Sequence, residues 1–158
     1  MIKQATRTIE SALKENDSHL KRLTRSESLL KAFFPVSAEK MTQLSEEQIE
    51  HLDQFIYRFT KLQDSMATRL LPAMYAWLED DPRPIPFLDI LNRLEQLDLI
   101  ENVEQWQFFR NLRNNLAHDY PESLDQTATT LNLLFKNINT MKSMYLKIRL
   151  FWLERQKC

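Results

Sequence analysis

The 158-residue sequence contains no glycine and a single cysteine, Cys158. Ordinary usage of about 7% would give a chain of this length roughly eleven glycines. Without them, turns that need φ > 0 fall to Asn and Asp. Phosphate-cradling loops of the Walker and dinucleotide types are built on glycine and are excluded. A lone cysteine excludes a disulfide framework and a cysteine-based zinc site. No apolar run approaches the ~20 residues needed to cross a bilayer, and no signal peptide opens the chain, so a soluble, cytoplasmic protein with no membrane partner is expected. The net charge of −1 argues against a general nucleic-acid coat but leaves room for a local basic cleft.

What remains is helix. Strand-like alternation and hairpin signals are absent, and apolar residues recur at three-and-four spacing. The expected fold is all-α, an antiparallel up-and-down bundle of four or five helices. Residues 1–17 are polar and weakly periodic, and read as an arm or a short helix on Ile2, Ile9 and Leu13. Residues 18–158 read as one helical-bundle domain. Its first helix spans Asp17 or Ser18 to Phe34, where Pro35 ends it, and residues 35–45 connect. Ser45-Glu-Glu-Gln48 has the form of a capping box and opens a long helix that reaches Trp77. Pro72 should kink that helix, since it removes one backbone bond and crowds the carbonyl of Thr68. Residues 80–86, DDPRPIP, form a stiff loop. A short helix follows over Phe87–Ile100, then one over Val103–Asp119. The last starts near Pro121 on a stripe that includes Leu131, Leu134, Ile138, Tyr145 and Trp152.

The chemistry gathers in the helix over Val103–Asp119. At 100° per residue, Arg110, Arg113, Asn114, Ala117 and His118 fall on one polar stripe, while Phe108, Phe109, Leu112 and Leu116 fall opposite and anchor the helix. Tyr120 follows at once, at a helix end set by Pro121. A guanidinium can grip two phosphate oxygens, and an imidazole with an ordinary pKa near 6.5 can move a proton at neutral pH. Transesterification by a ribose 2′-hydroxyl without a metal wants two acid–base groups, and one motif supplies one. A symmetric dimer would supply both. The same spacing also fits a helix-terminal histidine among solvated arginines. His19 and His51 have no comparable company and are expected at the surface. Trp77, Trp106 and Trp152 are expected in the core.

The run Arg113-Asn-Asn-Leu-Ala-His118-Asp-Tyr120 resembles the signature of the HEPN family, in particular HepT-like toxins. That signature has Arg, four residues, His, any residue, Tyr, often with a polar residue after the Arg and a Pro after the Tyr. Asn114 and Pro121 stand at those places. Arg58–Asp64 and Pro86–Glu95 are also similar to the family, so the resemblance covers about residues 45–125. It implies a metal-independent ribonuclease toxin acting on RNA as a homodimer, with Arg113 and His118 catalytic, no cofactor and no metal. Arg110 and Asn114 would support phosphate binding. It further implies a minimal nucleotidyltransferase antitoxin as partner, able to adenylylate Tyr120. The family also holds members described as substrate-binding subunits of nucleotidyltransferases, which leaves a non-catalytic partner subunit as the alternative.

Overall fold

The computed structural model describes residues 2–117 and 123–158, and helix dominates among them with no strand. In chain order the elements are α1 (Ile2–Leu30), α2 (Ala38–Thr42), α3 (Glu46–Ser65), a π turn (Met66–Leu70), α4 (Leu71–Glu79), α5 (Phe87–Gln96), α6 (Val103–Ala117) and α7 (Leu124–Gln156). The expected all-α bundle is what forms.

The start of the chain departs from expectation. Residues 2–30 are one helix, with no break at residue 17. Ala5, Ile9, Ala12, Leu13 and Asn16 are buried along one side of it. Two alanines and an asparagine make that stripe faint in sequence, although its spacing is helical. Asp17 reads as a helix start but is an acceptor inside α1. The Tyr145 hydroxyl lies 2.6 Å from its carboxylate and Arg149 Nε donates to it at 2.9 Å, tying α1 to α7. The helix stops at Leu30, short of Phe34, because the chain turns so that Phe34 can stack on Phe135 at 4.1 Å between ring centroids.

The Ser45 capping box forms as read, with Gln48 N–H on Ser45 Oγ at 3.1 Å and Ser45 N–H on Gln48 Oε1 at 2.9 Å. From there α3, the π turn and α4 run on as one rod. Pro72 explains the π turn. It has no N–H, and its ring crowds the carbonyl of Thr68, four residues back. Widening the preceding turn, with Leu71 N–H reaching Met66 O, relieves that crowding without ending the helix. The rod ends at Asp80, in left-handed geometry at φ 48°. Among the described residues the other with positive φ is Asp98, after α5. In a chain without glycine, aspartate takes both places.

α1 packs antiparallel along this rod, since Ser11 meets Arg69 while His19 meets Arg58. α7 lies across α1, α2 and α6. Its stripe from Ala128 through Leu131, Leu134, Ile138, Met141, Tyr145 and Ile148 to Trp152 is buried as expected. Phe55, Phe59, Trp106 and Phe109 complete the centre of the core. Trp77 is half-buried, edge-on to Trp152. No helix among the described residues is long and apolar enough to cross a membrane.

Candidate functional site

α6 begins where Asn102 Oδ1 accepts from Gln105 N–H at 2.7 Å and Glu95 accepts from Val103 N–H at 2.6 Å. These bonds satisfy donors that the first helical turn leaves open. Trp106, Phe109 and Leu112 are buried, and Phe108 and Leu116 are half-buried against the same core. The opposite face carries Arg110, Asn114 and Ala117, all exposed, with Arg113 at its margin. The two-faced helix expected from the sequence is therefore present up to Ala117. His118 and Tyr120, with Pro121, lie outside the described residues.

Arg113 does not simply face solvent. Its Nε and Nη2 donate to the two carboxylate oxygens of Asp64, at 3.1 and 3.0 Å. This side-on pair uses two of the five guanidinium N–H groups. Among the described residues the Nη1 pair and one Nη2 hydrogen have no partner, and the Nη1–Nη2 edge can also grip an oxyanion bidentately. The hydrogen bonds to Asp64 raise the pKa of Arg113 above its ordinary value, with burial opposing. Asp64 sits on α3 between the buried residues Gln63 and Ser65, and its backbone oxygen accepts from Thr68 Oγ1 at 2.8 Å. The chemistry at the motif alone gives Asp64 no role. The available signal is an acid flanked by buried positions on an amphipathic helix, which calls for a cationic partner.

One turn before Arg113, Arg110 borders a cavity of about 440 Å³. Its floor is the π turn and α4, at Thr68, Pro72 and Tyr75, and its far wall is the 80–86 loop. Arg83 stiffens that wall, because its Nε and Nη2 both bond the Asp81 carboxylate, at 2.9 and 2.7 Å. Those bonds pull the Asp81 carboxyl down to about 2. On the other flank of α6 a cavity of about 490 Å³ lies between Leu112, Asn115 and the first turns of α7.

His19 corrects the expectation of a surface histidine. It is buried between α1 and α3, where its Nδ1 lies 3.0 Å from Arg58 Nη1. A guanidinium can only donate, so Nδ1 accepts and the proton sits on Nε2, 3.5 Å from Glu15. Glu15 in turn pairs with Arg69 of the π turn. Burial lowers the His19 pKa below 6.5, against the pull of Glu15. His51 is half-buried beside Glu47. Among the described residues no three His, Cys, Asp or Glu side chains converge in a way that would hold a metal ion. Comparison of the chain with family models, curated proteins and solved structures finds no match.

Proposed function

We propose that the chain is a metal-independent endoribonuclease of the HEPN kind, a toxin held in check by a minimal nucleotidyltransferase. In this reading Arg113 grips the scissile phosphate and stabilises the charge that builds on it. His118 takes the proton of the ribose 2′-hydroxyl as that oxygen attacks phosphorus. The P–O5′ bond breaks, and the leaving oxygen takes a proton from the imidazolium of a second copy's motif, leaving a 2′,3′-cyclic phosphate. Arg110 binds a neighbouring phosphate and Asn114 supports the first. The requirement for two acid–base groups makes a homodimer with facing α6 helices part of the proposal.

The observation that carries this reading is the Arg113–Asp64 pair. It fixes a guanidinium on the rim of α6, five residues before a histidine in sequence, with its Nη1–Nη2 edge without a partner among the described residues. A merely solvated arginine would have no partner to orient it. The test is cleavage of a mixed RNA pool by the purified protein in the presence of EDTA. His118→Ala should lower the rate by about 10²- to 10⁴-fold, and Arg113→Ala by about 10²- to 10³-fold. Both should remain folded, because α6 is anchored through Trp106, Phe109 and Leu112. Cleavage that survives both substitutions sinks the assignment. RNA binding without cleavage returns the chain to the substrate-binding alternative.

A further inference from the structure

The trough beside Arg110 is shaped before anything enters it. Thr68 of the π turn, Pro72 and Tyr75 of α4 form its floor. The far wall carries Pro82 and Pro84, and the Arg83–Asp81 clamp holds it. A pre-set wall costs a ligand little ordering on binding. The lining combines flat apolar surfaces at Pro72, Pro84 and Ile85, the half-buried ring of Tyr75, and the Arg110 cation at the rim. At about 440 Å³ it falls within the usual range for small-ligand sites. The trough also continues. A second hollow of about 360 Å³ shares Thr68, Pro72, Ala76 and Pro82 with the first and is lined further by Arg69 and by Gln4, Ala5 and Thr8 of α1.

Direction matters as much as shape. Arg110 lies one helical turn before Arg113, about 4.5 Å along the axis. Thr68 lies one turn past Asp64. Both steps lead from the ion pair into the trough. We propose that the trough seats the base of the nucleotide adjoining the cleaved bond, in a single strand of RNA that runs along α6 with successive phosphates on Arg113 and Arg110. Single-stranded RNA is read by stacking its bases on aromatic and other flat side chains while cations track the backbone. An apolar slot with an aromatic ring and a rim cation matches that chemistry. The proposal rests on the ribonuclease reading for the cleaved bond, but the binding it describes is measurable without cleavage.

The probe is a short RNA made uncleavable by 2′-O-methylation, with 2-aminopurine moved one position at a time. Binding to the full-length protein should quench the fluorescence most at the position next to the scissile phosphate. Tyr75→Ala should abolish that quench and weaken binding about tenfold, in line with the usual worth of one stacked base. Ala76→Phe, which fills the trough by bulk and removes no contact, should do the same. Arg110→Gln should weaken binding to every sequence and reduce the salt dependence by about one ion. Tyr57→Ala, at an exposed tyrosine on α3, is the control that should change nothing. Quenching and affinity indifferent to Tyr75 and Ala76 overturn the proposal and leave the trough to a protein partner. Cleavage intact in Tyr75→Ala with unchanged KM also removes the trough but spares the ribonuclease. A Tyr75-dependent quench in a protein that cuts no RNA keeps the trough and removes the ribonuclease.

Discussion

Asp64→Asn separates a positioning role from a structural one, because the two differ in size. The Arg113 and Asp64 side chains are 29% and 40% exposed, so water screens the pair. Exposed pairs contribute about 0.2–1 kcal/mol, and the bidentate geometry puts this one near the upper end. Asn keeps one acceptor of similar shape, so unfolding free energy should fall by no more than about 1 kcal/mol, or about 2–4 °C in Tm for a chain of this length. The effect on chemistry should be larger. A guanidinium released from its clamp can wander by about 1 Å, and misplacement of that order costs about 10²-fold in rate. Losing a carboxylate beside the phosphate site also removes a repulsion from RNA. Asp64→Asn is therefore expected to lower kcat by about 10- to 100-fold while KM stays level or falls. Single-turnover cleavage at saturating and limiting protein measures both, and urea unfolding gives the stability. If Asp64→Asn cleaves like the wild type while Arg113→Ala is dead, Arg113 needs no positioning and the reasoning fails. A rate loss that only tracks unfolding would make the pair structural.

Other outcomes follow from single residues. Asn16 is fully buried, and neither its amide nitrogen nor its oxygen has a hydrogen-bond partner among the described residues. Asn16→Leu should stabilise the fold by about 1–3 kcal/mol, read as a higher Tm, and a lower Tm would show that the amide is bonded in solution. The lowered pKa of buried His19 means the unfolded chain binds its proton more readily than the folded one. Stability should therefore decline as pH falls below about 6.5 and level off below the folded pKa. In His19→Gln that slope should flatten, and an unchanged urea midpoint profile between pH 5 and 7 would refute the assignment. Co-expression with a nucleotidyltransferase partner should add adenylyl mass that maps to Tyr120 and is absent from Tyr120→Phe. Neutralisation with Tyr120 unmodified would place control in occlusion of the cleft.

Local rules account for much of the architecture. Ser45 with Gln48 announces the start of α3, Pro72 the disturbance in the rod, and the proline-rich loop its end. Absent glycine points to aspartate at positive φ, and Asp80 and Asp98 are found there. These are decided within a few residues of chain. The two faces of α6 are decided the same way, which is why Arg110 and Asn114 could be placed outward beforehand. What the sequence hides depends on helices meeting. Asp64 is 49 positions from Arg113, and no periodicity within α3 says that α6 crosses there. His19 reads as exposed because its neighbours on α1 are charged, yet α1 buries that side against α3. The α1 stripe was faint because Ala5 and Ala12 bury well against a close neighbour while contributing little to an amphipathic pattern.

The rod from Glu46 to Glu79 joins these features, and its polar residues work on two sides. Arg58 and Arg69 turn to α1, where they meet His19, Glu15 and Ser11, while Asp64 between them turns to α6 and Arg113. In a straight α-helix, residues five or six apart do not share a face, so the alternation from Arg58 to Asp64 follows from the spacing alone. Arg69 follows Arg58 by eleven residues, three turns of a straight α-helix to within about 20°, so its return to the α1 side also follows from the spacing. Pro72 has a separate consequence. It widens the turn Met66–Leu70, whose Thr68 lines the trough beside Arg110 together with Pro72 itself. Replacing Pro72 by alanine would remove the reason for the wider turn. The Arg69–Glu15 pairing should then survive, while the trough that Pro72 itself lines should change.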